Sequence, residues 1–446
     1  MDRRRFLART GLGLAAFQFV PARVLGQSAN SRLNVAGIGV GSMGGADVDA
    51  VAGEGQNIVA LCDVDSKYAA NKFEQYPRAK RFTDFRVMLD QMGKEIDAVV
   101  IGTPDHTHAT IALEAMRRGK HVYCEKPLTH TVDEARRMMA VAGETGVVTQ
   151  LGNQGHSSGD IRRLCEWVWD GAIGTVREVH AGCDAFPEVY SQLRHLPKVN
   201  ERHDVPEHLD YDLWLGPVPF VHYSPLWVHW NWRGWMAFGT GCIGDWICHV
   251  LDPAFWALNL DAPASVQAEV NDYDPARHGL TYPPGSSVTF EFGARNGRGP
   301  VKVVWYDGAR RIPRPAGLDA DDNLPGTGAV LIGDRGMIIH GSHGAGGCRI
   351  APEKRAAEYL AGGQPAQKIP RVKNHAWDWI EAIRTGRQAG SNFAYGGPLT
   401  QCGLLGMVAI RFPGEKLLWD NAAGRFTNHE HANAHLRTQY RAGWRS

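Results

Sequence analysis

Short apolar runs alternate with stretches of helical periodicity between residues 32 and 153. The apolar runs predict buried strands at residues 32–40, 57–62, 96–103, 121–125 and 147–153. Helical spacing separates several of these runs, at residues 46–52, 107–118 and 132–144. Because strands alternate with helices, the pattern predicts a parallel sheet that binds ligands at the carboxyl ends of its strands.

The pattern changes after residue 154, where polar and apolar positions alternate along several segments. After a helix at residues 160–170, this alternation predicts strands at residues 176–183, 265–270, 287–292, 301–306 and 330–332. Such alternation is typical of antiparallel sheets with one buried face. Helices at residues 371–384 and 399–412 are expected to pack on this second sheet.

The composition is that of an ordinary globular protein, with 43% hydrophobic and 21% charged residues in a chain of 446. The 48 Lys and Arg residues nearly balance the 47 Asp and Glu residues, so the charge gives no sign of a nucleic acid or an anionic membrane as partner. The eight cysteines include no CxxC pair, which argues against a zinc ribbon, a redox dithiol and a disulfide-stapled scaffold.

Residues 1–30 predict an export signal. Arg3 and Arg4 are followed, after one residue, by Phe-Leu, as in the twin-arginine signal, although Ala8 stands where a lysine is common. The weakly apolar stretch at residues 11–20 is too short to span a membrane, so we expect no stable membrane insertion. On this interpretation the protein is periplasmic or extracytoplasmic; a frayed N-terminal helix is the alternative.

A glycine-rich turn follows the first predicted strand. Gly39, Gly41 and Gly44, with Ser42 and Met43 between the last two, match the GxGxxG pattern and lead into a helix. The first glycine permits the tight turn, the second lets the backbone approach a pyrophosphate, and the third lets the helix pack on the strand. We therefore predict a dinucleotide site, with the phosphates at the helix N-terminus.

Asp63 completes this fingerprint, because it ends the second strand 24 residues after Gly39. A carboxylate at this position can accept hydrogen bonds from the ribose hydroxyls and would repel a 2′-phosphate. The nearest following cation is Lys67, so we predict NAD rather than NADP as the cofactor. A solvated acid at the strand end is the alternative for Asp63.

Polar motifs stand where three other predicted strands end. They are Thr103-Pro104-Asp105-His106-Thr107-His108, Glu125-Lys126-Pro127 and Asn153-Gln154-Gly155-His156. A fourth motif, the glycine-rich turn at residues 239–244, leads into a predicted helix that carries Asp245 and His249. Since parallel strands end at one edge of their sheet, we expect the first three motifs to lie near the bound ligand.

Together, these motifs resemble those of the Gfo/Idh/MocA oxidoreductase family, and they are most similar to its exported, twin-arginine branch. The tail around Tyr440 and Trp444 fits the same branch. The resemblance implies an α/β fold with an N-terminal Rossmann domain at residues 31–153. It also implies a C-terminal α/β domain at residues 154–446, with a large open, mostly antiparallel sheet, a helical tail and a dimer or tetramer interface.

The resemblance also implies roles for particular residues. Thr103, Pro104, His108, Glu125 and Lys126 are expected to complete the NAD site. The family's catalytic Lys, Asp and His correspond to Lys126, Asp245 and His249.

The chemistry of these three residue types fits the oxidation of an alcohol. A lysine desolvated beside a cofactor can have a lowered pKa, and Lys126 is expected to transfer a proton or hold the alcohol oxygen. Asp245 and His249 share one helix face, so His249 is expected to accept the proton and Asp245 to orient it or bind a neighbouring hydroxyl. The alternative is an Asp–His pair that caps the helix, with a lysine that only binds nucleotide.

Four further residues are candidates for substrate contact. His229 and Arg233 lie in a tryptophan-rich segment at residues 227–235, where aromatic faces suit sugar rings and polar side chains can bond hydroxyls. Gln154 and His156 follow a strand end near the expected nicotinamide. Core or interface packing is the alternative for the tryptophans, and a loop histidine is the alternative for His156.

The histidines of the tail do not predict a metal centre. His431 and His435 have the i,i+4 spacing that can bind zinc, but HExxH is absent and His429 also lies in the terminal tail. We expect a surface helix with an exposed polar face, and no metal.

Three functions remain open at this stage. The first is hydride transfer between tightly bound NAD and a secondary alcohol of a sugar, glycoside or cyclitol. The second is glycoside hydrolysis by transient oxidation and elimination, which the same residues could serve. The third is a non-catalytic exported protein that retains nucleotide, against which the complete set of three candidate catalytic residues argues.

Overall fold

The computed structural model describes residues 32–445. The predicted export segment, residues 1–30, lies outside the described residues. The described chain contains two sheets, one within residues 34–152 and one within residues 176–426. No helix in this described range is long and apolar enough to cross a membrane.

The first sheet has six parallel strands in the order β3-β2-β1-β4-β5-β6. The strands are β1 (Asn34–Ile38), β2 (Asn57–Cys62), β3 (Lys80–Phe82), β4 (Ala98–Ile101), β5 (His121–Glu125) and β6 (Thr149–Gly152). The helices between them are α1 (Met43–Gly53), α2 (Ala70–Gln75), α3 (Phe85–Met92), α4 (Asp105–Arg117) and α5 (Val132–Thr145). The predicted parallel Rossmann sheet is confirmed.

The second sheet has nine strands in the order β13-β12-β11-β7-β10-β9-β8-β14-β15. The strands are β7 (Val176–Cys183), β8 (Ser265–Val270), β9 (Gly285–Phe292), β10 (Val301–Gly308), β11 (Gly328–Gly333), β12 (Met337–Gly341), β13 (Arg349–Ala351), β14 (Lys416–Asp420) and β15 (Arg425–Phe426). Its pairs are antiparallel except β7 with β10. The predicted large, mostly antiparallel sheet is confirmed.

Helices surround the second sheet and join it to the first. They are α6 (Gly159–Trp169), α7 (Pro187–Tyr190), α8 (Tyr211–Leu215), α9 (Gly241–Val250), α10 (Asp252–Ala257), α11 (Pro275–His278), α12 (Ser342–Ala345), α13 (Glu353–Leu360), α14 (His375–Thr385), α15 (Phe393–Ala409) and α16 (Glu430–Asn433). Short 3-10 turns lie at Gln154–Ser157, Leu193–Lys198, Asn231–Gly234 and Ala434–Leu436.

Helix α15 shows how the core connects the two sheets. It packs against α9, α5, β6 and β8, and almost all of its residues are buried. It begins six residues before the predicted start and contains Pro398. Pro398 cannot donate a helical hydrogen bond, and packing on several sides stabilises the helix at this position.

An aromatic lobe, comprising residues 209–238, extends over the nucleotide-binding edge of the first sheet. Its core contains Tyr211, Trp214, Trp227 and Trp235 together with aliphatic neighbours. A β-bridge between Asp65 and Leu209 joins the lobe to the loop after β2. The lobe therefore covers the loop that carries Asp63.

Candidate active site

A cavity opens at the carboxyl ends of the strands of the first sheet, and helices that pack on the second sheet contribute to its lining. One part, here called the nucleotide end, contains Gly39, Gly41 and Asp63. The other part, here called the reaction end, contains Lys126, Asp245 and His249. The position of the cavity agrees with the rule for ligand binding in open parallel sheets.

The glycine-rich turn has the shape that a pyrophosphate requires. Gly39 has φ +75°, and a Cβ on Gly44 would lie 2.1 Å from the Gly39 carbonyl oxygen, so the turn is tight and α1 packs against it. Ser42 stands at the N-terminus of α1 without a side-chain capping bond, which leaves N–H groups of the first turn for an anion. Ser42 and Met43 also line the cavity.

Asp63 is buried at the nucleotide end and holds the glycine-rich turn. Its Oδ2 accepts hydrogen bonds from the backbone N–H groups of Val40 (2.7 Å) and Gly41 (3.1 Å). Its Oδ1 accepts one from the N–H of Asp65 (3.0 Å). Burial raises the pKa of the Asp63 carboxyl to about 6, although these N–H groups act in the opposite direction.

Tyr68 and His229 cover the glycine-rich turn. Their rings stack with centroids 4.1 Å apart, and a Cβ on Gly41 would lie 2.1 Å from the Tyr68 ring. His229 Nε2 is 3.0 Å from Asp65 Oδ2. His229, which was predicted to contact substrate, thus lies at the nucleotide end. The β-bridge between Asp65 and Leu209 joins the aromatic lobe, which contains His229, to the loop after β2.

In the motif after β4, some residues line the cavity, and one residue connects two loops beside it. Thr103 and Pro104 line the cavity. His108 does not, since its buried ring lies between the carbonyl oxygens of Thr103 (2.7 Å) and Pro127 (2.8 Å). The expectation of direct cofactor contact by His108 is therefore wrong for this structure: the ring joins two strand-end loops.

Lys126 forms a buried ion pair with Asp245 at the reaction end. Its Nζ is 2.6 Å from Asp245 Oδ1 and 3.3 Å from the Asp245 carbonyl oxygen. Burial alone would lower the pKa of Lys126, but Asp245 and Glu125 outweigh it and raise the pKa above its usual value. In this structure the raised pKa favours the charged form of Lys126, and a lowered pKa beside a bound cofactor stays a prediction.

Asp245 forms its hydrogen bonds and ion pairs with residues other than His249. Its Oδ2 accepts a 2.5 Å hydrogen bond from the Tyr190 hydroxyl and lies 3.4 Å from Arg233 Nε. Against the effect of burial, Lys126 and Arg233 hold the pKa of Asp245 below its usual value. Within the described residues Asp245 does not bond His249; it orients Lys126 and binds a hydroxyl, that of Tyr190.

His249 is a buried imidazole in the cavity lining. Its Nδ1 is buried and has no hydrogen-bond partner in the described part of the chain. Burial, then Lys126, lowers the pKa of His249 well below its usual value, so the ring is neutral. A neutral imidazole in the cavity lining can accept a proton from an alcohol.

Glu125 and Gln154 lie beneath the reaction end. The Gln154 side chain lines the cavity and donates to Glu125 Oε1 (2.7 Å) and to Asp47 Oδ1 (3.3 Å). Burial and the nearby Asp47 raise the pKa of the Glu125 carboxyl. These contacts fix the Gln154 amide while its side chain remains at the cavity surface.

His156, which was predicted to contact substrate, lies outside the cavity lining. Its ring is buried, stacks on Trp256 (4.4 Å) and lies 3.1 Å from Asp252. The 3-10 turn at Gln154–Ser157 directs the side chain into the protein. The expectation of substrate contact by His156 is wrong for this structure.

Several cavity residues were not found from the sequence. Tyr190 and His343 line the cavity and lie outside the recognised motifs, whereas Trp246 and Trp444 lie within recognised motifs without an assigned role. Asp105 lies within a recognised motif without an assigned role. Its Oδ2 accepts bonds from the Thr240 N–H (3.1 Å) and hydroxyl (2.8 Å), and burial raises the pKa of its carboxyl to about 7.

The tail histidines lie on short helical turns. His429 caps α16 by accepting a bond from the N–H of Ala432, and His435 lies near the Phe412 ring. Among residues 32–445, no cluster of three or more His, Cys, Asp or Glu side chains could hold a metal ion.

Two family models match the chain. The first, "Oxidoreductase family, NAD-binding Rossmann fold", matches residues 33–153. The second, "Oxidoreductase family, C-terminal alpha/beta domain", matches residues 191–282. The matches contain the glycine-rich turn, Lys126, Asp245 and His249.

Curated relatives include two kinds of dehydrogenase. An inositol 2-dehydrogenase from Rubrobacter xylanophilus is 31% identical over 169 residues, which are 36% of this chain and 48% of the relative. A levoglucosan dehydrogenase from Pseudarthrobacter phenanthrenivorans is 28% identical over 243 residues, 54% of this chain and 52% of the relative. The matched part of the chain thus spans about half the length of these two relatives.

Solved structures share the fold over most of the chain. An NAD-binding protein from Listeria innocua has a TM-score of 0.59 at 17% identity, with 90% of this chain and 100% of that chain covered. A levoglucosan dehydrogenase in complex with NADH and L-sorbose has a TM-score of 0.54 at 19% identity, with 85% and 97% covered. The two matched models are the domains of one family, the Gfo/Idh/MocA oxidoreductases, and they match this chain in the same order.

Proposed function

We propose that the protein is a nicotinamide-dependent oxidoreductase that transfers a hydride between tightly bound NAD and a secondary alcohol of a sugar, glycoside or cyclitol. One observation carries the proposal. A charged lysine, Lys126, and a neutral histidine, His249, line the same cavity as the glycine-rich turn. Such a pair can hold an alcohol oxygen and take its proton.

The residues of the reaction end divide this work. Lys126, charged and oriented by Asp245, donates a hydrogen bond to the alcohol oxygen and stabilises the negative charge that develops there. His249 accepts the hydroxyl proton, which it can do because its ring is neutral. When bound, the nicotinamide cofactor accepts or returns the hydride.

The charges at the nucleotide end favour NAD over NADP. Asp63, Asp65 and Asp84 all line this part of the cavity. Among the described residues, Lys126 and Arg233 are the lysine and arginine side chains of the lining, and both lie beside Asp245. A 2′-phosphate would therefore meet carboxylates without a compensating arginine or lysine.

The substrate class follows from the relatives and from the polar character of the reaction end. Related dehydrogenases act, by their names, on inositol and levoglucosan, which are ring-shaped polyols. Lys126, Tyr190, His249 and Arg233 offer several donors and acceptors for hydroxyl groups. We propose a carbohydrate or cyclitol ring as the substrate.

We also propose that the protein is exported through the twin-arginine route and forms a homo-oligomer. Arg3 and Arg4, followed by the apolar stretch at residues 11–20, support the export. A variant with both arginines changed to lysine should remain in the cytoplasm. Light scattering of the purified protein would give a dimer or tetramer mass; a monomer mass would contradict the oligomer.

The test of the proposed function starts from the full chain as purified. Its bound nucleotide is released by denaturation and identified by mass, and sugars, glycosides and cyclitols are then screened by product mass and nicotinamide absorbance. We expect NAD and a ketone product. The His249→Asn variant should lose turnover and keep the nucleotide, whereas His435→Asn, outside the cavity, should retain turnover.

Two results would contradict the proposal. A chain that neither carries nor takes up a nicotinamide nucleotide would exclude it. Cleavage of a glycoside without net redox change would instead favour the eliminative hydrolase.

A further inference from the structure

The reaction end contains a second imidazole that no motif identifies. His343, in α12 directly after strand β12, lines the cavity and stacks on His249, with ring centroids 4.1 Å apart and an angle of 21° between the rings. Trp246 makes T-shaped contacts with both rings, with centroid distances of 5.8 Å to His249 and 5.6 Å to His343. The two imidazoles therefore stand side by side at the cavity wall.

The backbone holds His343 in an unusual conformation to present this ring. His343 (φ 55°), Gly344 (φ 83°) and Ala345 (φ 62°) are all left-handed. A Cβ on Gly344 would lie 1.9 Å from the Gly155 carbonyl oxygen, and the Ser158 hydroxyl donates a 2.6 Å bond to the Gly344 carbonyl. Left-handed residues other than glycine persist where surrounding structure fixes them, and they cluster at functional sites.

Each ring has one nitrogen that a ligand can use. His343 Nδ1 is 2.9 Å from the Ser342 hydroxyl, which leaves Nε2 as the candidate contact of that ring. His249 Nδ1 is buried without a partner, so Nε2 is the candidate contact of His249, whose ring lines the cavity. Burial, then Lys126, lowers the pKa of His343, so both rings are neutral and each can donate or accept a hydrogen bond with a hydroxyl.

Stacking determines what the pair can contact. The N–H bonds of imidazole lie in the ring plane, so two stacked rings cannot hydrogen-bond each other. Both rings line the cavity, with their centroids 4.1 Å apart. Two rings at this separation can bond substituents on neighbouring carbons of one ligand ring.

We propose that His343 binds the hydroxyl next to the one that is oxidised, so the site selects rings with two adjacent hydroxyls. This inference rests on the proposed function, because His249 must act on the first hydroxyl. His343 then contributes to specificity, and Ser342 positions its ring through the bond to Nδ1. The substrate class becomes a cyclic vicinal diol.

The test compares ring polyols with their monodeoxy analogues. Each substrate that the wild type oxidises is paired with the analogue that lacks one neighbouring hydroxyl, and kcat/KM is measured for wild type and His343→Asn. Asparagine tolerates the left-handed conformation but is too short to replace the imidazole. His343→Gly suits the same backbone and is used if the first variant unfolds.

The expected result is a loss of discrimination at one position. Wild type should prefer the parent over one analogue by about tenfold or more, because a site built to bond a hydroxyl leaves groups unpaired without it. His343→Asn should lower kcat/KM for the parent to nearly that of the analogue and leave the analogue unchanged. His435→Asn, a half-buried tail histidine, should keep the wild-type preference.

Two outcomes would overturn the inference, and they differ. If His343→Asn lowers kcat/KM equally for the parent and for every analogue, His343 supports the structure and not specificity. If wild type oxidises no ring polyol at all, the proposed function fails, and the inference fails with it.

Discussion

The two ends of the cavity are built in different ways. The nucleotide end is mainly a backbone structure: a glycine-rich turn, the open N-terminus of α1, and the Asp63 carboxylate that holds the turn, all within a short stretch of chain. The reaction end consists of side chains from the loop after β5, from α9 and from α12, which are far apart in sequence. It contains charged and neutral groups whose protonation depends on burial and on each other.

Because of this difference, the nucleotide end is suited to binding and the reaction end is suited to proton transfer. N–H groups of a fixed turn can hold phosphates without a change in protonation. Proton transfer instead requires groups whose pKa values are set apart, here a charged Lys126 and a neutral His249. Changes at the reaction end should therefore alter turnover, whereas changes at the nucleotide end should alter cofactor affinity.

The largest effect is expected from Lys126→Met at the reaction end. Loss of the charged amine that holds the alcohol oxygen should lower kcat by about 10²–10⁴-fold. Steady-state kinetics would measure this, with the nucleotide content per chain unchanged. Lys302→Met, which breaks an exposed ion pair with Glu178, is the control. Turnover close to wild type would show that Lys126 only binds nucleotide.

A smaller effect, on affinity, is expected from Asp63→Asn at the nucleotide end. Loss of hydrogen bonds to a charged acceptor should weaken NAD binding by about 10–100-fold, since each contributes about 1.5–3 kcal/mol. NADP should lose less, because the repulsion of its 2′-phosphate disappears. Calorimetric titration of nucleotide-free protein would measure both, with Asp90→Asn, an exposed ion-pair residue, as control. Equal losses for the two nucleotides would contradict the assignment.

A pH effect on stability is expected from Asp105, which lines the cavity between the two ends. Burial raises the pKa of its carboxyl from 3.8 to about 7, so the folded protein holds this proton more tightly than the unfolded chain. The resulting stabilisation is complete below pH 3.8 and is lost as the pH rises through about 7.

Asp105→Asn should remove this contribution. Urea unfolding should then show a smaller fall in the free energy of unfolding between about pH 5 and about pH 8 than in wild type. Asp90→Asn should leave the wild-type fall intact. The same fall in wild type and Asp105→Asn would mean that Asp105 is ionised in the folded protein.

The smallest effect on activity is expected from His156→Asn. The ring is buried against Trp256 and Asp252, outside the cavity, so kcat and KM should stay near wild type. The free energy of unfolding should fall by about 1–3 kcal/mol, because a buried hydrogen bond is lost. A raised KM with unchanged stability would return His156 to the substrate site.

Regular segments were predictable where the pattern is local. Strands β2, β5, β7 and β8 have the predicted bounds, because each is a run of apolar or alternating residues. Strand β3, Lys80–Phe82, was missed: it is a three-residue edge strand with two exposed residues and has no periodicity to detect. Its pairing with β2 in the sheet defines it.

The candidate site was predictable only in part, for a similar reason. Lys126, Asp245 and His249 do line one cavity, but the spacing of Asp245 and His249 on α9 did not reveal that Asp245 bonds Lys126 and Tyr190 instead. His229 and His156 were assigned to substrate because they lie near motifs in sequence. Long-range contacts, to Asp65 and Asp252 respectively, decide their positions.

The sequence by itself determined the parallel sheet and the glycine-rich turn that ends β1. Such a turn consists of contiguous residues and needs glycine wherever a Cβ would not fit. The spacing of the glycines in the sequence therefore predicts it. Only the tertiary structure decided which side chains meet at the reaction end, including His343 from a distant loop. It also decided that Lys126 is charged and His249 neutral, because burial and neighbouring charges set a pKa, and both arise from packing.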